Sequence, residues 1–275
     1  MTPERDEPEV ALSGGNMTAV VRVGDTVRRA AGPWTPTIHA FMRHLRASGF
    51  TRIPEPHGLD GQRREIISLL PGAPAAYPLP DFAWSDATLA SVAQALRAFH
   101  DASVGFTPPP DAHWRWPAHE PAEVVCHNDF APYNLLFERG RLTGVIDLDL
   151  ASPGPRVRDM GYTAYRFVAL THPRNPDAPY RGLADQRRRL AAFCAAYGDP
   201  AIPPSDVVDA AIEKLHELTA FITDAAAAGD EAQQAVPAQG DVDIYQRDLA
   251  HLDRHRSHTR LGDTDPADPH RSRSM

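Results

Sequence analysis

The stretch that most limits what this chain can fold into is Val124-Val125-Cys126-His127-Asn128-Asp129-Phe130-Ala131-Pro132-Tyr133-Asn134-Leu135-Leu136-Phe137, followed by Leu142-Thr143-Gly144-Val145-Ile146-Asp147. Its pattern predicts a buried strand, a polar loop and a hairpin, with His127, Asp129, Asn134 and Asp147 gathered where strands end. Setting polar groups between apolar strands costs desolvation and backbone order, so such a loop exists where chemistry needs those groups held still.

The segments before it divide in character. Residues 10–71 read as short strands and one helix: a strand at 19–23, a Gly24-Asp25 turn, a returning strand at 26–29, and further strands at 51–54 and 64–70. Thr35 is expected as an N-cap with Pro36 at the first helical position, and Ile38, Phe41, Met42 and Leu45 fall on one face before Gly49 ends the helix. The proline-rich run 71–80 reads as a connector. Beyond it the chain turns helical, with an apolar stripe of Leu89, Val92, Leu96 and Phe99 and later helices at 160–170, 186–197, 205–227 and 242–255. Residues 106–120 form a Pro/Trp-rich loop in which Trp114 and Trp116 are expected to pack against protein rather than ligand. The expected division is a lobe at 1–72, a helical lobe at 73–255, and a disordered tail at 256–275 that lacks large apolar residues.

His127-x-Asp129-x4-Asn134 has the spacing of the catalytic loop of protein kinases, and Asp147 follows at the end of a hairpin strand. Phosphoryl transfer needs a carboxylate to accept the attacking hydroxyl's proton and oxygen ligands to hold Mg²⁺ against nucleotide phosphates. Asp129 suits the first role, Asn134 and Asp147 the second, and His127 the bracing of the loop. Alone, each of these residues would read as a turn or cap; the order in which they stand together argues for chemistry. Asp149 competes for the metal, since period-two alternation would place it on the face of Asp147.

These residues, with Pro153-Gly154 and Arg158-Asp159, resemble the Brenner-type motif and metal segment of the aminoglycoside phosphotransferase and choline kinase-like superfamily. The resemblance implies an α+β, bilobal protein kinase-like fold: a small antiparallel β-rich N-terminal lobe with one helix, and a larger, mainly helical C-terminal lobe. It implies ATP between the lobes, Asp129 as base or orienter, Asn134 and Asp147 on magnesium, and Asp159 as a structural anchor. It also implies that the backbone of the hinge, at Ser68 and Leu70, meets the adenine. Gly14 and Gly15 stand where a turn would cover phosphates through backbone N–H groups, although such a pair also suits a plain flexible loop. Three departures stand out. The common His-Gly-Asp is His127-Asn128-Asp129; the third strand offers Arg28 and Arg29 in place of a phosphate-contacting lysine; and His39 lies near the position of the helix glutamate that would hold such a lysine. Alternation allows one arginine to face the cleft, here assigned to Arg29, whose guanidinium can pair with phosphate bidentately.

Composition excludes little but is consistent. A net charge of −8 argues against nonspecific nucleic-acid binding and is compatible with a cationic acceptor. Glu213, Glu217, Asp224 and Asp230 would favour such an acceptor, although Glu213 and Glu217, four residues apart, equally suit one solvated face. No apolar run approaches the roughly 20 residues of a membrane span, and the acidic residues 1–9 do not read as a signal peptide, so the cytoplasm is expected. The 13 histidines show no metal spacing, and His251, His255 and His258 are expected in solvent. Cys126 and Cys194 suggest reduced thiols. The expected activity is ATP- and Mg²⁺-dependent phosphorylation of a small-molecule hydroxyl, with an aminoglycoside-like compound or amino alcohol as a candidate acceptor. The alternative is a nucleotide-binding module without turnover, motivated by the missing lysine and glutamate.

Overall fold

The computed structural model describes residues 8–12, 20–228 and 239–259. The Gly24-Asp25 turn joins β2 (Val21–Val23) to β3 (Thr26–Ala30), and Gly24 takes φ 57°, a left-handed backbone that glycine adopts without a Cβ clash. With β1 (Val10–Ala11), β4 (Pro56–Leu59) and β5 (Arg64–Ser68) this hairpin builds a five-stranded antiparallel sheet in the order β1-β2-β3-β5-β4. The strand expected at 51–54 forms at 56–59 instead. Arg46 explains the shift: its Nη1 donates to the carbonyls of Thr51 and Ile53 at 3.2 and 2.9 Å, so those groups are taken before a ladder can use them.

Helix α1 (Thr35–Ala47) buries Ile38, Phe41, Met42 and Leu45 as the stripe predicts. Thr35 is its first residue rather than its cap, because the Thr35 hydroxyl accepts from Gly32 N at 2.9 Å, upstream of the helix. The 71–80 connector contains an unanticipated strand, β6 (Ala73–Pro74), whose proline is tolerated at a sheet edge. β6 pairs with β8 (Leu135–Glu138), and β8 with β9 (Arg141–Val145). A second ladder joins β7 (Val124–Cys126) to β10 (Ser152–Gly154).

Helix α2 (Asp86–Ser103) is capped by Ser85, whose Oγ accepts from Thr88 N at 3.1 Å. On it, the Phe99 ring stands 5.8 Å from Phe41, 5.7 Å from Phe50, 5.8 Å from His127 and 6.3 Å from Phe130, joining the small lobe to the loop after β7. One apolar core runs from Val27, Ile38 and Ile67 through Phe99 to Leu190, Leu215 and Leu252. The remaining elements are α3 (Arg156–Ala164), a π-helical turn (Tyr165–Ala169), α4 (Leu183–Tyr197), α5 (Pro204–Ala228) and α6 (Gln239–Thr259). α6 continues through 256–259, past the expected start of a disordered tail at 256; residues 260–275 lie outside the described residues. His251 is buried, not solvated, because α6 turns it toward His172 and Tyr180, with ring centroids at 5.7 and 6.0 Å. No described helix is long and apolar enough to cross a membrane.

α3 meets α5 at Gly161, where a Cβ would come within 2.6 Å of the backbone of Ala210 and Ala211. This contact fixes the approach of α5, and with it Lys214 one turn further on. Gly161→Ala is therefore expected to destabilise the fold by about 2–3 kcal/mol, measured by urea denaturation, with no loss of helical content in the native baseline.

Candidate active site

The loop after β7 is held from behind by one carboxylate. Asp159, in the first turn of α3, accepts from His127 N at 2.6 Å, Asn128 N at 2.7 Å and His100 Nε2 at 3.0 Å, and His100 Nδ1 in turn meets the Tyr197 hydroxyl at 2.8 Å. Burial alone would raise its pKa, but the hydrogen bonds from His100 and the loop outweigh it and hold the carboxyl below its usual value. Asp159 thus secures the catalytic-type loop itself as well as α3.

Asn128 resolves the departure from His-Gly-Asp. It sits at φ 64°, in the left-handed region where asparagine is the tolerated alternative to glycine. Its Nδ2 donates to Leu150 O and Ser152 Oγ, each at 2.9 Å, and its Oδ1 accepts from Arg158 Nε at 3.0 Å. His127 is a brace: Nδ1 accepts from Asp129 N at 3.3 Å, which leaves Nε2 to donate to Ile146 O at 3.0 Å.

Both oxygens of Asp129 have donors. Tyr133 donates to Oδ1 at 2.7 Å and Asn134 Nδ2 to Oδ2 at 2.8 Å, while burial pushes the Asp129 pKa up. The Asn134 amide is oriented by a second bond, Nδ2 to Asp129 O at 3.0 Å, and its Oδ1 has no partner among the described residues. Asp147 follows the end of β9 at φ 61°, with its side chain 48% exposed. The strand has ended there, so alternation does not govern Asp149, yet Asp149 still faces the same cation: Arg29 Nη1 reaches Asp147 Oδ1 at 2.8 Å and Nη2 reaches Asp149 Oδ1 at 2.5 Å. Burial, with Asp147 adding repulsion, raises Asp149 to about 6. The oxygens of Asn134, Asp147 and Asp149 suit a hard divalent cation, and the guanidinium between the two carboxylates shows that positive charge fits there.

On β3, Arg29 turns to this cluster while Arg28 turns away, its Nη1 on Thr26 Oγ1 at 2.5 Å and its Nε 3.9 Å from Asp60. Arg29 also forms an ion pair with Glu65, its direct cross-strand neighbour on β5. At the end of β5, where the hinge was expected, Ser68 N donates to Glu55 O at 2.9 Å, Ser68 Oγ accepts from Glu55 N at 2.8 Å, and Leu69 N donates to Asp25 O at 2.8 Å. Leu70 is the first residue after β5 whose backbone groups have no partner among the described residues. Gly14 and Gly15 lie outside the described residues.

Sequence reasoning missed three parts of the site. Glu65 is one, since cross-strand register is not written in composition. The second is a tyrosine cluster: with its one proton given to Asp129, Tyr133 accepts from Tyr162 at 3.0 Å, and Tyr162 accepts from Arg166 Nη2 at 2.9 Å. Arg166, in the π-helical turn, also donates to Tyr245 at 2.8 Å and forms no ion pair with a carboxylate among the described residues. The third is Lys214, which is buried with its Nζ 4.1 Å from the centre of the Trp116 ring and no hydrogen-bond partner among the described residues. Of the acidic residues considered for a cationic acceptor, Glu217 is taken by a bidentate pair with Arg158 and Glu213 faces solvent, whereas the Asp224 side chain and Asp230 lie outside the described residues.

The profile of the phosphotransferase enzyme family matches residues 6–116 and 111–203. The chain belongs to that family. The trifolitoxin immunity protein of Rhizobium leguminosarum bv. trifolii is 36% identical to it over 151 residues, which are 53% of this chain and 56% of that protein. The chain thus spans about half the length of this relative. Among solved structures, a choline/ethanolamine kinase family protein from Mesorhizobium loti superposes with a TM-score of 0.61 at 17% identity, covering 94% of this chain and 95% of that one. Amicoumacin kinase, solved in complex with AMP-PNP, Ca²⁺ and Ami, gives 0.64 at 11% identity over 94% and 90%. The phosphotransferase-family chain therefore has the bilobal, kinase-like α+β fold that the motif implied.

Burial pushes the Lys214 ammonium down from 10.5 to about 8, with Arg158 adding repulsion and Asp129 opposing it. A lysine whose folded pKa lies below its unfolded value penalises folding fully below the folded value, and the penalty fades as pH rises to the unfolded one. Lys214→Met is expected to stabilise the fold at pH 7 by about 1–3 kcal/mol, an advantage that shrinks at about pH 9.5, as read by urea denaturation at both pH values.

Proposed function

We propose that the protein is an ATP- and Mg²⁺-dependent phosphotransferase that moves the γ-phosphoryl group to a hydroxyl of a small molecule in the cytoplasm. The observation that carries this reading is Asp129: a carboxylate fixed by Tyr133 and Asn134, on a loop anchored by Asp159, and close enough to the Asp147 carboxylate to feel its charge. Asp129 takes the acceptor's hydroxyl proton while that oxygen bonds to the γ-phosphorus and the bond to the β–γ bridging oxygen breaks, releasing the nucleoside diphosphate. Asn134 and Asp147, with Asp149 as a further ligand, are the residues that would hold the magnesium, which would supply charge neutralisation to the phosphates. Leu70 offers the hinge backbone to the adenine, and Ser68 shapes the hinge through its bonds to Glu55. Gly14 and Gly15 are assigned to contact with the nucleotide phosphates.

The relative's name ties that protein to immunity against trifolitoxin, and on that likeness the acceptor class assigned here is a hydroxyl-bearing antibacterial compound. Amino sugars and amino alcohols remain candidates within that panel. The test is mass-spectrometric screening of amino sugars, peptide antibiotics and amino alcohols with ATP and Mg²⁺. Wild type is expected to add one phosphoryl group to an acceptor, and Asp129→Ala to lower turnover by about 10²–10⁴-fold while ATP·Mg²⁺ still binds. Nucleotide binding with no product above the Asp129→Ala background would instead mark a binding module without turnover.

A further inference from the structure

Arg29 touches three carboxylates at once, one through each guanidinium nitrogen: Nε against Glu65 Oε1, Nη1 on Asp147 and Nη2 on Asp149. The contacts differ in kind. Glu65 is 2% exposed at its side chain, stands across the ladder from Arg29, and gives its other oxygen to His39 Nε2 of α1 at 3.0 Å. That end of Arg29 is therefore built into the sheet and helix of its own lobe. Asp147 belongs to the other lobe, beyond β9, and nearly half of its side chain is exposed.

Charge explains why the guanidinium reaches across. Glu65, Asp147 and Asp149 contribute −3, Arg29 contributes +1, and Arg115, with Nη1 3.8 Å from Asp149 Oδ2, contributes another +1. These formal charges sum to −1, so the cluster still attracts a cation, and without Arg29 the neighbouring carboxylates would repel each other and any incoming polyphosphate. A lysine could not serve in the same way. Its single ammonium is a point charge, whereas the guanidinium fork presents five N–H donors in fixed directions to separate acceptors.

We infer that Arg29 is a cation with two working positions. Without nucleotide, Nη1 and Nη2 hold Asp147 and Asp149 as a stand-in for a divalent metal ion. With a metal–nucleotide complex, those carboxylates pass to the metal and the same two nitrogens turn to phosphate oxygens, pivoting on Glu65, which His39 keeps in place. Glu65 and His39 are then positioning residues, and the clamp absent from α1 is supplied from β5. This inference rests on the phosphotransferase reading for its second position only.

The test measures Mn²⁺ binding by electron paramagnetic resonance, with and without ATP, in wild type and in Arg29→Met. Removing the stand-in is expected to tighten Mn²⁺ binding without nucleotide by about tenfold and to weaken Mn²⁺–ATP binding by about tenfold, changes of opposite sign that a merely structural residue would not produce. Glu65→Gln is expected to weaken Mn²⁺–ATP binding by a larger factor than it weakens binding of Mn²⁺ alone. Unchanged or weaker binding of Mn²⁺ alone in Arg29→Met overturns the inference. If Arg29→Met does not fold by circular dichroism, Arg29→Lys is read for the same opposite signs at smaller size. A wild type that binds Mn²⁺ but no nucleotide overturns the phosphotransferase reading and the second position with it, while the metal-only comparison still decides the first.

Discussion

The site depends first on the buried carboxylate of Asp159. An ionised acid away from water is tolerated only where donors surround it, and here the donors are the main chain of His127 and Asn128 together with His100. The same bonds that satisfy the charge fix two successive peptide groups, so the direction in which Asp129 leaves the loop is set two residues earlier. His127 then ties the loop to Ile146, one residue before Asp147, and thereby couples the position of the proposed base to that of the proposed metal ligand.

The loop was legible in the sequence because its parts are close in the chain. The spacing from His127 to Asn134 fixes which groups can converge, and the apolar strands on either side give the register of burial. The helices were equally legible where a stripe of large apolar residues repeats, as in α1 and α2. What could not be read depends on pairs distant in sequence. Arg29 and Glu65 become neighbours only through strand register, and Lys214 reaches Trp116 only because Gly161 lets α5 approach α3. Asn128 illustrates a different limit: the pattern marked it as a departure, whereas its backbone angle shows it performing the conformational role of glycine while adding three hydrogen bonds.

The absent lysine and glutamate motivate the alternative of a module without turnover, yet β3 still presents a cation beside Asp147. A strand glutamate facing an arginine delivers a fixed cation to the cleft from the same lobe, and His39 stands where the helix can brace that glutamate. Electrostatic arrangements of this kind can exchange the element that carries each charge without exchanging the field that results.

Tyr133 carries a consequence for selectivity. Because its hydroxyl and the Asn134 amide each occupy one oxygen of Asp129, the carboxylate enters the proposed reaction with part of its lone-pair supply already committed. An incoming hydroxyl would have to share an oxygen along the directions left over. Among the several hydroxyls of a polyol, the one that reacts would then be chosen by the angle at which it meets a half-occupied carboxylate, a finer selection than pocket shape alone can make.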